Sequence, residues 1–240
     1  MPYNYDNSDC PTDSLRDLTA SITSSILEYR HINGRPFQQS KTTEYWYHYT
    51  LLLFDDKLHL APIGKNPQEI LDIGTGTGIW AIAIDDWKKL YSQAFTHVRP
   101  GGWVESLEID IETHSENPKV EKEESHIFKK WCKLFFECGR KTGLTWEIAR
   151  DGRQEEYMRE AGFTDLFSKS WKLPVGGWPQ DKKLKQIGLY NEAFIDHSID
   201  AFAIFPIGEI LGWSKEEVTV LVSQMRKALK EPRALPYFNV

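Results

Sequence analysis

The 240-residue sequence is short of the features that mark several large functional classes. Positive charge is in deficit: 29 Lys and Arg stand against 35 Asp and Glu, a net charge of −6, so the basic face that a phosphate backbone requires is missing and no nucleic acid partner is expected. Cysteine is scarce. Cys10, Cys132 and Cys138 are odd in number and lack C-x-x-C spacing, which indicates neither a disulfide framework nor a zinc site and fits a reducing compartment. No apolar run reaches the ~18 residues of a membrane span. The opening MPYNYDNSDCPTDS has neither the basic nor the apolar region of a secretory signal. The expected location is therefore cytoplasmic, with the nucleus as the alternative. H-E-x-x-H, G-x-S-x-G and P-loop spellings are missing, as is an internal repeat. No metal site is expected, and no catalytic residue stands out.

What is present is organised around Glu69 to Gly102. Ile70, Leu71 and Ile73 form a short apolar run that reads as a buried strand, stops at Gly74, Gly76 and Gly78, and gives way to a helical pattern from Ile79 to His97. Glycines at those positions let a backbone turn tightly and approach a ligand, while the new helix offers unpaired N–H groups. A tight βα turn with no ligand is the plain alternative. Asp72, two residues ahead of the first glycine, favours a nucleotide-like ligand.

Asp72-Ile-Gly-Thr-Gly-Thr-Gly-Ile-Trp80 resembles the first motif of class I S-adenosylmethionine (SAM) dependent methyltransferases, in the spelling of the LaeA-like proteins of fungal secondary metabolism. Pro100-Gly-Gly-Trp-Val-Glu105 resembles their late motif, and Glu28 to Arg35 and Asp56 to Pro62 resemble their N-terminal region. The resemblance implies SAM as cofactor, with Asp72 near its methionine amino group and Gly74, Thr75, Gly76 and Gly78 lining its methionine and ribose side. It also implies a Rossmann-like α/β fold and an N-terminal helical lid. Only 22 residues separate Gly78 from Gly101, leaving no room for the second to fourth strands, so the adenosine side of the pocket is not spelled out and SAM binding should be weak or lost. Asp85 and Asp86 stand beside the first helix, where they do not replace the ribose acid.

Along the rest of the chain, Leu15, Leu18, Ile22, Ile26 and Tyr29 mark a helix ending near Asn33-Gly34. Tyr45, Tyr49, Leu52 and Leu53 mark another. Trp103 to Ile111 reads as a strand with Val104, Leu107 and Ile109 inward, parallel to the first in a small sheet of about four strands. Thr113 to Glu124 reads as a loop. Ile127, Phe128, Trp131, Leu134, Phe135 and Cys138 form one helical stripe, with His126 beside it as a surface or satisfied residue. Gln154 to Ala161 reads as a helix closed by Gly162, and Phe163 to Leu173 as a strand. A long helix carries Leu184, Ile187, Phe194, His197, Ala201 and Ile204 and stops at Pro206. Ser214 with Glu217 makes a capping box for a helix with the stripe Val218, Leu221, Val222, Met225 and Leu229. Pro236 to Val240 falls where the family continues through its final strand.

The expected fold is a truncated Rossmann-like α/β sheet, small and parallel or mixed, with flanking helices. Residues 1–62 form the arm and lid and 63–240 the methyltransferase-like domain, in one compact unit. Tyr45, Trp46 and Tyr49 are the candidate substrate pocket for a small aromatic or apolar metabolite, although aromatics in such number usually build core. The expected function is methyl transfer in secondary metabolism. A cofactor-independent cyclase or isomerase, and a non-catalytic accessory or regulatory protein with a pathway-protein partner, are the alternatives.

Overall fold

The computed structural model describes residues 29–32, 35–38, 41–63, 69–70 and 86–240. The chain separates into two compact units, Met1–Glu44 and Tyr45–Val240. In the first, β1 (Tyr29–Ile32) and β2 (Arg35–Gln38) form an antiparallel hairpin with Ile32 opposite Arg35. This corrects the helix expected to run through Tyr29 to Asn33-Gly34. Asn-Gly between two pairing segments suits a two-residue hairpin loop as well as a helix stop. Leu15, Leu18, Ile22 and Ile26 lie outside the described residues.

The second unit is mainly helical. From α1 (Lys41–Leu53) the chain reaches α2 (Trp87–His97), β3 (His114–Ser115), the single turn α3 (Pro118–Glu121), α4 (Ile127–Thr142) and α5 (Arg153–Ala161). Then follow β4 (Lys172–Pro174), α6 (Lys182–Ala203), a π-helical segment (Ile204–Ile210), α7 (Lys215–Leu229) and β5 (Pro236–Asn239). The core forms where the apolar stripes of α1, α4, α6 and α7 meet. Phe128, Trp131, Leu134, Phe135 and Cys138 are buried as their spacing implies, and so are all five stripe residues of α7. Each such large side chain contributes on the order of 1.5–3 kcal/mol.

Helix ends follow the residues that satisfy them. Ser214 and Glu217 form the capping box, and Gly162 closes α5 at φ 109°, a left-handed conformation that favours glycine. His126 is the N-cap of α4, its Nδ1 accepting from Phe128 N at 3.3 Å. Two helix limits differ from expectation. Asp86 is extended and caps α2 through Lys89 N, so the helix begins at Trp87 and is not continuous from Ile79. α6 ends at Ala203, three residues ahead of Pro206, yet helical turns continue past the proline. The chain widens there into π turns, with Leu211 N donating to Pro206 O at 3.2 Å, a pitch that accommodates a residue lacking its own N–H.

The sheet of the second unit has the order β3-β5-β4, with both pairings antiparallel. Parallel pairing does not occur among the described residues. Trp103 to Asp110 carries no regular secondary structure, contrary to the strand expected there. Asp110 explains the break: its Oδ1 accepts from Glu112 N at 3.1 Å, a side-chain turn that competes with ladder pairing, while its own N–H donates to Asn239 O. Polarity is reversed too, since Asp110 is buried and Ile109 exposed. Thr113 to Glu124 is not a plain loop but holds β3 and α3. Residues 163–171 are likewise irregular, and β4 starts at Lys172. Pro236–Asn239, read as a truncated edge, is the middle strand.

Candidate functional site

Asp72, Gly74, Thr75, Gly76 and Gly78 lie outside the described residues. The aromatic candidates lie within them, on α1. Tyr49 is buried, with its ring edge-on to Phe194 of α6 at 6.0 Å and its hydroxyl without a hydrogen-bond partner among the described residues. Trp46 is half-buried and meets Tyr49 edge-on at 6.4 Å. Tyr45 is also half-buried, with Tyr190 at 6.4 Å and His197 at 5.7 Å, both from α6. The structure therefore sets Tyr45 and Tyr49 against α6, with Trp46 beside Tyr49.

The segment after Gly101-Gly102 holds groups that the motif reading passed over. Glu105 Oε2 accepts from Leu60 N at 2.7 Å and from Ala61 N at 2.6 Å, joining the late motif to the Asp56–Pro62 motif. Farther on, Asp110, Glu112, His114, Glu121, Lys129 and Arg150 close into a ring of charges. Arg150 reaches Asp110 Oδ2 through Nε at 3.1 Å and also bonds Glu112, whose other oxygen meets Lys129 Nζ at 2.5 Å. Lys129 lies 3.7 Å from Glu121, and Glu121 Oε1 lies 3.0 Å from His114 Nδ1. His114 Nε2 completes the circuit by charge alone, 4.0 Å from Asp110 and with no hydrogen-bond partner among the described residues. Three carboxylates face two permanent cations, so the ring is neutral only when His114 is protonated.

The same neighbours set the direction in which each group's pKa moves. Asp110 and then Glu121 hold the His114 imidazole above its usual pKa, against the opposing effect of burial. Burial disfavours the Glu112 carboxylate, but hydrogen bonds from Lys129 and Arg150 outweigh it and keep its pKa low. Glu108 has no such support, and burial pushes its carboxyl up to about 7, within reach of proton exchange at neutral pH. Burial also disfavours the thiolate at two cysteines, pushing Cys132 up to about 12 and Cys138 up to about 11. One signal in the sequence pointed to the ring. Asp110, Glu112 and His114 alternate, which places them on one side of an extended chain.

Among the described residues, no group of His, Cys, Asp and Glu is arranged to hold a metal ion, and no helix is long and apolar enough to cross a membrane. A groove between α6 and α7, with Ile195, Ile199, Arg226 and Leu229 in its wall, has room for about one water.

Similarity to known proteins extends over nearly the whole chain. Methyltransferase pytC of Aspergillus terreus is 27% identical, in an alignment covering 91% of this chain and 88% of that protein. The probable methyltransferase tdiE of Emericella nidulans is 22% identical, over 96% and 92% respectively. Its homologues are LaeA-like proteins of fungal secondary metabolism. Among these, the secondary metabolism regulator LAE1 of Cochliobolus heterostrophus is 22% identical over 77% of this chain and 79% of its own. The alignments with pytC and tdiE run over 289 and 300 positions, more than the 240 residues here, so both relatives hold residues with no counterpart in this chain. No family model and no solved structure matches it.

Proposed function

We propose that the protein is a SAM-dependent methyltransferase, or a methyltransferase-like protein, acting in fungal secondary-metabolite biosynthesis on a small aromatic or apolar metabolite. The observation that carries this reading is the extent of similarity to a protein named methyltransferase, 91% of this chain and 88% of that one. A Rossmann-like parallel arrangement around the glycine stretch, a helical lid within residues 1–62 and a methyltransferase-like domain over 63–240 belong to the proposal. So do a cytoplasmic or nuclear location and a pathway-protein partner.

When bound, SAM supplies an electrophilic methyl group, and the protein's share of the work is proximity and orientation. In this reading Asp72 engages the methionine amino group, and Gly74, Thr75, Gly76 and Gly78 let the backbone come close. The ribose side fits poorly. Asp86 is already engaged through Oδ1 as the cap of α2, and Glu105 through Oε2 by two backbone amides. Missing contacts of several kcal/mol, at ~1.4 kcal/mol per factor of ten, give an expected SAM dissociation constant weaker than about 100 μM. Calorimetric titration with SAM tests this, with Gly76→Val expected to abolish the heat. Low-micromolar binding would show that another segment has rebuilt the adenosine wall.

Two observations favour other readings. LaeA-like relatives named as regulators support an accessory or regulatory role. The aromatic face of α1 supports a cofactor-independent cyclase or isomerase. Turnover of a pathway intermediate in SAM-free buffer, insensitive to Asp72→Ala but reduced by Trp46→Ala, would replace methyl transfer with the latter.

A further inference from the structure

We propose that the end of α1, residues 169–171 and the start of α6 form a docking surface for an acidic segment of a partner protein, in which Lys57, Lys169 and Lys183 receive its carboxylates and Leu58 and Phe167 its apolar side chains. This gives a chemistry to the pathway-protein partner and does not depend on methyl transfer. The three elements meet at one place. The Phe54 ring lies 5.4 Å from that of Trp171, Lys169 Nζ stands 4.7 Å over the same Trp171 ring, and Lys183 Nζ donates to Asp55 Oδ1 at 2.5 Å. The Lys183 hydrogen bond lowers the Asp55 pKa most, and the charges of Lys57 and Lys169 add to it, so three ammonium groups surround one exposed carboxylate. Among the described residues, Lys183 with Asp55 is the one ion pair that any of these lysines makes.

Asp55 shows what the surface accepts. Its backbone and that of Asp56 take left-handed conformations, φ 55° and 61°, that favour glycine, and the chain's own carboxylate there stands where a partner's would. Even with Asp56 counted, the lysines outnumber the acids, a local reversal of sign in a protein of net charge −6. Screening confines that reversal to ~8 Å at physiological ionic strength. A short acidic segment therefore feels the lysines, whereas an anionic bilayer or a nucleic acid also meets the acidic remainder of the molecule. Leu58, next to Lys57, and Phe167, two residues before Lys169, are 74% and 84% exposed, more than any other large hydrophobic side chain among the described residues. Apolar groups on the partner would bury both.

The test titrates the full chain into two fluorescein-labelled peptides, EEFEEL and KKFKKL, and reads fluorescence anisotropy without SAM, so its result is independent of the methyltransferase reading. EEFEEL should bind, more weakly as salt rises, and KKFKKL should not. Lys57→Ala with Lys169→Ala should weaken EEFEEL about fivefold, and Phe167→Ser about tenfold. Asp55→Asn, whose amide suits a left-handed turn and carries no competing charge, should tighten it about threefold. All four positions are exposed, so thermal unfolding should be nearly unchanged in these variants. Failure of EEFEEL to bind, equal affinity for the two peptides, or unchanged affinity in the double lysine, Phe167→Ser or Asp55→Asn variant would overturn the proposal. Tighter binding to phosphatidylserine vesicles or to an oligothymidylate would overturn it in favour of a membrane or a nucleic acid.

Discussion

Arg150 and Arg226 each gather two carboxylates, yet the two clusters differ in what surrounds the acids. The side chains of Asp110 and Glu112, partners of Arg150, are 5% and 13% exposed; those of Asp196 and Asp200, partners of Arg226, are 36% and 57% exposed. Water can replace Arg226 when it is removed. It cannot readily reach Asp110. The same residue types therefore form an obligatory network in one place and a dispensable one in the other, and burial of the acceptor decides which.

The largest expected effect is that of Arg150→Ala, which strands buried Asp110 and should destabilise the fold by about 3–5 kcal/mol in urea unfolding. A loss below about 1 kcal/mol would erase the distinction between the networks. Next is a steric counterpart at the same sheet. A Cβ on Gly188 of α6 would lie 2.2 Å from Gly176 O and 3.2 Å from Pro174 Cβ, so Gly188→Ala should cost roughly 1–3 kcal/mol by forcing α6 away from β4. An unchanged midpoint would mean that the helix and strand are not in fixed contact.

The third prediction separates the networks by pH. His114 has a folded-state pKa above its ordinary 6.5, so its stabilisation is full below that pH and is lost as pH rises through the folded value. Glu108 acts in the same direction, because its carboxyl keeps its proton in the fold from its ordinary 4.5 up to about 7. Asp196 beside Arg226 is held low by Lys230, so its contribution is present above 3.8 and is lost only as pH falls through its folded value. Stability should therefore decline between pH 5 and 8, and His114→Gln together with Glu108→Gln should flatten the decline. A slope that persists in the double variant would assign it elsewhere. The smallest effect is that of Arg226→Ala, under about 1 kcal/mol and shrinking with added salt.

Legibility in the sequence follows the same division between repeated and singular interactions. The α4 and α7 stripes, the Ser214–Glu217 box and the Gly162 cap are periodic or positional signals, and each reappears in the fold. The sheet was not readable, because β3, β4 and β5 are two to four residues long, too short for a period-two pattern to show. Asp110 was misplaced for a related reason. A buried acid looks like a surface one until its partners are known, and Arg150 lies 40 positions away. The Glu105 contact was equally invisible, since backbone amides carry no residue code.

The strand order also sets a schedule. β5 lies between β3 and β4 but follows both in the chain, so as the protein leaves the ribosome neither outer strand has a partner until the middle one has been made. A nascent chain paused before Arg233 can assemble helices and bury their stripes, yet it exposes two unpaired strands and an Asp110 N–H without its acceptor, Asn239 O. During synthesis those are the surfaces on which a chaperone would act.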